Sequence, residues 1–517
     1  MICNARPKSV FGTQVALASG HHLASQHALR CLADGGSLVD AMVSASATLA
    51  VVLPHAGSLG GCGMMMYYDA ATGEVHALNA SGRAPGSAKV ERFTNGMPQR
   101  GTSSAVVPTL VRLWARAHER FGRITLRELL APAIALARDG CNVAEELARN
   151  LRLSGPLVRS QPGFDTLFMP GGALLEAGQR IRQPALAEAL NAIAHEGERG
   201  FYEGASMRSL TRFSQGTNGL LDAIDFAHAQ ADWVQSWTSP TAGHAVHVMP
   251  PNSVGVLMLQ QLQRWDRHGC QLGAEGMAQD IEHALAVIAK GRTRIGDPAQ
   301  VSVAALDARS FGVDTVRASA EWRAAFANSR AGVGDTTGFV AMDAQGNALA
   351  MLQSVFQPFG SGAVDPGTGI LLNNRMFDFD TEPGSVNCVA PHRRPSHTLN
   401  PWLLLRDGRA TMAAVSPGGV SQTTTGFQIA TGALGGMATL GELVARPRWS
   451  LARDGTILLE PGLPQAVAHL LRERGHSVET DSQHEFYFGS VKAVRRNASG
   501  NLEAAADARR QAVALGF

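Results

Sequence analysis

Apolar residues recur at helical spacing over residues 23–33, with Ala24, Ala28, Cys31 and Leu32 on one face, and Gly35-Gly36 closes the run. A second run, residues 38–51, is apolar on nearly every side and stops before Pro54. Its small residues, Ala41, Ser44, Ala45 and Ala47, predict a helix packed closely inside a layered structure. A glycine-rich segment, His55-Ala-Gly-Ser-Leu-Gly-Gly-Cys-Gly63, then leads into a strand at 64–68, a turn at Asp69 and Gly73, and a return strand at 75–78. Two more helices lie between Pro108 and Gly140, the second opened by Thr125 and Glu128 in capping-box spacing. Further helices are expected at 183–195, 220–230 and 279–290, and a turn with a short apolar strand at 251–262. This order is α+β in character, unlike the regular strand–helix alternation of nucleotide-binding folds.

The apolar pattern weakens over 302–334, where Asn328-Ser-Arg-Ala-Gly-Val-Gly334 reads either as an exposed processing site or as an ordinary surface loop. A sharp change follows. Phe339-Val-Ala-Met342 and Ala348-Leu-Ala-Met-Leu352 flank Asp343-Ala-Gln-Gly-Asn347, a strong hairpin signal. Pairing centred on Gln345 places Thr336 opposite Ser354. Strands at 369–372, 402–405 and 411–415, with helices at 423–431 and 463–472, complete a pattern of two mixed sheets under outer helical layers, an αββα arrangement.

Composition narrows the classes. With 45% hydrophobic and 17% charged residues in 517, the chain supports a large globular core. A net charge of +2 gives no reason to expect nucleic-acid or anionic-membrane partners. No signal-peptide run and no apolar stretch of roughly 18 residues is present, so neither export nor a membrane span is expected. The six cysteines (3, 31, 62, 141, 270 and 388) lack CxxC spacing, which fits reduced, structural thiols in a cytoplasmic protein. No His/Asp/Cys cluster has metal-ligand spacing, and neither a metal nor an organic cofactor is indicated.

Chemistry is suggested by Asp335-Thr-Thr-Gly-Phe-Val-Ala-Met-Asp343. Around it, in order, stand Gly60-Gly-Cys-Gly63, Phe359-Gly-Ser-Gly362, Gly369-Ile-Leu-Leu-Asn-Asn374, Ser416-Pro-Gly-Gly419, Ala445-Arg-Pro-Arg-Trp449 and Glu460-Pro-Gly462. This set resembles the gamma-glutamyltransferases, N-terminal-nucleophile hydrolases of four-layer αββα fold, over roughly residues 18–480. The resemblance implies self-cleavage between Asp335 and Thr336 into segments 1–335 and 336–517 that stay together, and it is compatible with a further homo-oligomer. It makes Thr336 the nucleophile, Ser354 its supporting hydroxyl, and Gly418 and Gly419 the oxyanion site. The residues alone allow cleavage before Thr337 as well; the family match selects Thr336. The chemical reason is that cleavage frees an α-amine, of pKa about 7.7–8.0, to act as base beside a hydroxyl that is otherwise a weak nucleophile.

Departures from the family pattern concern the substrate. The arginine that holds a glutamyl α-carboxylate aligns with Ser81, with Arg83 two positions on; a glutamyl-contacting asparagine becomes Phe356. An acidic-or-amide position becomes Arg375 while Asp378 is kept, and a serine pair becomes His397-Thr398. Arg375 repels an α-ammonium and attracts a carboxylate or carbonyl. The blocks at 51–55, 353–362 and 397–401 are similar to the oxamate amidohydrolase branch. The expected substrate is therefore a small amide of an acid. The alternatives are a gamma-glutamyl compound such as glutathione, or no substrate at all in an unprocessed scaffold. Gly338, where better-known members carry histidine, bears on processing; His55 and His397 fit capping or packing as well as catalysis.

Overall fold

The computed structural model describes residues 8–268, 273–301, 306, 334–436, 439–480, 485–497 and 499–517. Cys3, Cys270 and nearly all of the 302–334 segment lie outside the described residues. The four described cysteines are buried and form no disulfide. No helix among the described residues is long and apolar enough to cross a membrane.

Two seven-stranded sheets dominate. The first runs Val513–Gly516, Val15–Ser19, Asp335–Asp343, Ala348–Phe356, Cys62–Asp69, Glu74–Ala80 and Asp232–Val234. The second runs Val10–Gly12, Leu502–Ala506, Lys492–Arg496, Arg409–Val415, Trp402–Arg406, His244–Val248 and Trp237–Thr241. The described neighbours in both are antiparallel, not mixed as the sequence suggested. Hairpins join some of these pairs, as Asp335–Asp343 with Ala348–Phe356, while others join strands far apart in sequence, as Val15–Ser19 with Asp335–Asp343.

Three buried clusters make four layers. Ala16, Ala18, Met64, Met66, Val340, Met342 and Leu352 from the first sheet meet Leu403, Ala413, Val415, Val494 and Ala504 from the second. The opposite face of the first sheet (Leu17, Met65, Phe339, Met351) packs on helices His22–Ala33 and Leu38–Val52. That second helix is buried at every position, as its all-round apolar sequence requires, and its Ser37/Asp40 capping box satisfies its first turn. The outer face of the second sheet (Val246, Leu404, Met412) packs on helices Gly255–His268 and Ser421–Leu434.

Two elements depart most from the sequence reading. The 251–262 segment is not a strand: its apolar run opens helix Gly255–His268, where the Ser253 hydroxyl accepts from Gly255 N at 3.1 Å. A short, unalternating apolar run does not distinguish buried strand from buried helix. The helix expected at 220–230 shortens to Ala223–Ala227, capped by Asp222 and Asp225.

Candidate active site

The hairpin that carries Thr336 is set by its turn. The Asp343 carboxylate accepts from Asn347 N (2.9 Å) and Asn347 Nδ2 (2.8 Å), and Gly346 takes the positive φ of 97° that the turn needs. Its ladder is centred on Gln345 as far as the Thr337–Gln353 pair. A bulge then intervenes before the Asp335–Phe356 pair, so Ser354 and Val355 stand opposite Thr336. The strand ends at Phe356, a non-glycine residue at φ 84°.

This bulge gathers polar groups in the protein interior. Asp335, Thr336 and Ser354 are all at most 2% exposed. The Asp335 carbonyl accepts from the Thr336 hydroxyl at 2.7 Å and from the Ser354 hydroxyl at 2.8 Å. Ser354 spends its single proton there, while its oxygen accepts from Phe356 N (2.8 Å) and Arg375 Nη2 (3.4 Å). The peptide carbonyl before Thr336 is thus polarised by two hydroxyls, one of them the candidate nucleophile.

Arg375 is fully buried, with its guanidinium carbon 4.1 Å from the centroid of the Phe356 ring. Nη1 donates to the Thr398 hydroxyl at 3.4 Å. Its nearest carboxylate among the described residues is Asp378, at 3.9 Å. Asp378 is more tightly engaged elsewhere: Arg292 Nη2 lies 2.5 Å from Oδ1, and Ser396 Oγ donates to Oδ2 at 3.1 Å. Burial lowers the Arg375 pKa, with Cys62 and Asp378 opposing that shift. At neutral pH the group remains a desolvated cation facing the hydroxyl cluster.

His397 is also fully buried. Its Nδ1 accepts from Leu399 N at 3.2 Å, which assigns the neutral tautomer, and burial followed by the cations Arg375, Arg292 and Arg394 holds its pKa well below 6.5. Its backbone ties the 395–399 segment to Asn252 and Val254. Arg83 stands apart from this group: it donates to the His392 carbonyl and faces Asp232 at 3.5 Å and Asp297 at 3.8 Å. Gly418 (φ 129°) and Gly419 (φ 60°) form the loop before helix Ser421–Leu434. A methyl group built on Gly334 would lie 2.9 Å from Gly419 Cα, so this loop abuts the segment leading into Asp335.

The structure adds residues that no motif indicated. Asp335 Oδ1 accepts from Arg510 Nη1 at 2.6 Å, and Arg510 also reaches Glu146 at 3.3 Å. His55 Nε2 lies 3.5 Å from Asp335 Oδ2; burial keeps the imidazole neutral despite the nearby carboxylates, making this a polar contact rather than an ion pair. Burial would raise the Asp335 carboxyl, but the Arg510 guanidinium, followed by the Thr336 N–H, holds it below the ordinary carboxylate range. His55 had a sequence signal in its place beside the glycine-rich loop. Arg510, Glu146 and Arg292 had none, because only the tertiary fold creates their pairings.

Comparisons with known proteins agree with this architecture. The gamma-glutamyltranspeptidase family model matches residues 24–517. An oxamate amidohydrolase proenzyme of Klebsiella pneumoniae is 33% identical over 96% of this chain and 97% of its own length. A glutathione hydrolase-like proenzyme of Bacillus subtilis is 30% identical over 99% of this chain and all of its own. The crystal structure of a cephalosporin acylase from Bacillus halodurans superposes with a TM-score of 0.91 at 24% identity, covering 100% of this chain and 98% of that one, a likeness of fold. With the family model spanning nearly the whole chain, and the same four layers enclosing a threonine at a strand terminus, the chain belongs to the gamma-glutamyltranspeptidase family of N-terminal-nucleophile enzymes.

Proposed function

We propose that this chain cuts itself between Asp335 and Thr336 and then hydrolyses a small amide of an acid, of which oxamate is the model substrate. The observation that carries the substrate reading is Arg375, a buried cation 3.4 Å from the Ser354 hydroxyl with no carboxylate nearer than 3.9 Å among the described residues. A carboxylate attached close to the scissile carbonyl gives that cation a charge-assisted partner. An α-ammonium brought to the same place meets repulsion, and Asp378, the carboxylate that would offset it, is already paired with Arg292. The similarity to an oxamate amidohydrolase supports the same reading.

In this mechanism the Thr336 α-amine takes the hydroxyl proton as Thr336 Oγ1 adds to the amide carbonyl. The oxyanion is received by the Gly418 and Gly419 N–H groups at the entry to helix Ser421–Leu434. The C–N bond breaks, the amine leaves with the transferred proton, and an ester on Thr336 remains. Water, deprotonated by the same amine, cleaves the ester to release the acid and restore Thr336. Segments 1–335 and 336–517 stay together because both contribute strands to each large sheet.

Initial rates on oxamate, glutathione and a gamma-glutamyl anilide test the reading. Release of ammonia from oxamate is expected to exceed turnover of both gamma-glutamyl compounds. Faster turnover of those two assigns the site to gamma-glutamyl transfer or hydrolysis instead.

A further inference from the structure

The Asp335 side chain belongs to a buried charge cluster that amide turnover at Thr336 does not use. Its Oδ1 accepts from the Thr336 backbone N–H at 2.9 Å and from Arg510 Nη1 at 2.6 Å. His55 Nε2 lies on the other carboxylate oxygen, and Arg510 is braced in turn by Glu146. In a planar trans peptide the N–H and C=O point in opposite directions. A carboxylate that pins the Thr336 N–H on one side therefore fixes the Asp335 carbonyl on the other, where the Thr336 and Ser354 hydroxyls converge at 2.7 and 2.8 Å.

We propose that Arg510 is a positioning residue for self-cleavage: it holds the Asp335 carboxylate on the scissile N–H and so turns the scissile carbonyl toward its nucleophile. This rests on the Asp335–Thr336 bond being the one that is cut. In that step Thr336 Oγ1 bonds to the Asp335 carbonyl carbon, the C–N bond breaks, and the hydroxyl proton ends on the Thr336 nitrogen. Water then hydrolyses the ester. The same carboxylate lies beside the nitrogen as it becomes an amine, where negative charge favours the protonated product.

Arg510 also ties cleavage to assembly. It lies 175 residues beyond Asp335, between strand Leu502–Ala506 of the second sheet and strand Val513–Gly516 of the first. The carbonyl is not aimed until this stretch has docked across both sheets, so premature cutting of a partly folded chain is disfavoured.

The test follows cleavage by intact mass in full-length chain made by cell-free translation. Arg510→Ala and Asp335→Asn should each slow the cut by at least about thirtyfold, the scale of a misplaced reacting group. The double variant should be no slower than the slower single one, because both remove one contact. Added guanidinium should recover part of the R510A rate, which a residue needed only for folding would not permit. Wild-type rates in R510A or in D335N overturn the proposal, as do multiplying effects with no guanidinium rescue. If R510A fails to fold, the nearly isosteric D335N decides alone. Unsubstituted chain that is never cut at Asp335–Thr336 defeats the proposed site itself; equal cutting with and without the clamp defeats only this inference.

Discussion

Arg375 is the residue on which the proposed specificity turns, and its surroundings make it open to test. Removing a buried charge usually strands its partner at a cost of several kcal/mol. Here the partner is not stranded: Asp378 keeps Arg292 at 2.5 Å and Ser396 at 3.1 Å. Arg375→Met also retains an unbranched apolar stem against the Phe356 ring. We expect R375M to fold and to raise KM for oxamate about 100-fold, equivalent to roughly 2.7 kcal/mol of lost binding. Self-cleavage should persist, since Thr336 and Ser354 still flank the Asp335 carbonyl. Steady-state kinetics with oxamate check this; an unchanged KM places the substrate carboxylate elsewhere. At this scale the sequence was informative about identity and silent about partnership. Thr336, Ser354, Phe356, Arg375 and Thr398 were named through the family resemblance; the first two hydroxyls meet at the Asp335 carbonyl, and Arg375 links Ser354 to Thr398 and the Phe356 ring. Arg83 was named with them, yet its guanidinium faces Asp232 and Asp297.

Among the elements, the hairpin carrying Thr336 is tightly packed near its start. Gly338 lies two residues past Thr336, where a methyl group would meet the Met351 carbonyl oxygen at 2.5 Å and Leu352 Cδ2 at 2.8 Å. A backbone oxygen in the neighbouring strand cannot yield without moving the ladder. Gly338→Ala should therefore destabilise the chain by about 1–3 kcal/mol, the range for overpacked cores. Urea unfolding checks this, and an unshifted midpoint shows that the hairpin has slack. The turn was readable because Asp343, Gly346 and Asn347 encode it locally, and so was the register up to Thr337–Gln353. The bulge beyond was not readable, since a central strand serine and a bulged one look alike in sequence. Strands Val10–Gly12, Val15–Ser19 and Val513–Gly516 were missed for a related reason: they are short, and their place comes from partners hundreds of residues away. Helices were easier because their period repeats over three or more turns.

For the whole molecule, the four layers explain how an internal threonine can become a terminus without the protein falling apart. Strands from before and after Asp335 share the first sheet: Val15–Ser19 and Ala348–Phe356 both flank the strand that carries Thr336. Cutting one peptide bond leaves these ladders and the three buried clusters in place. In the uncut chain Thr336 is only 2% exposed, and in the proposed mechanism turnover waits on the cut. The central claim is that Thr336 is both the agent and the product of that cut. Intact mass of the purified chain, beside that of Thr336→Ala, tests it most directly. We predict two fragments, one ending at Asp335 and one beginning at Thr336, and a T336A chain that stays whole and inactive. A T336A chain cut at the same bond, or one that still turns over substrate, contradicts it.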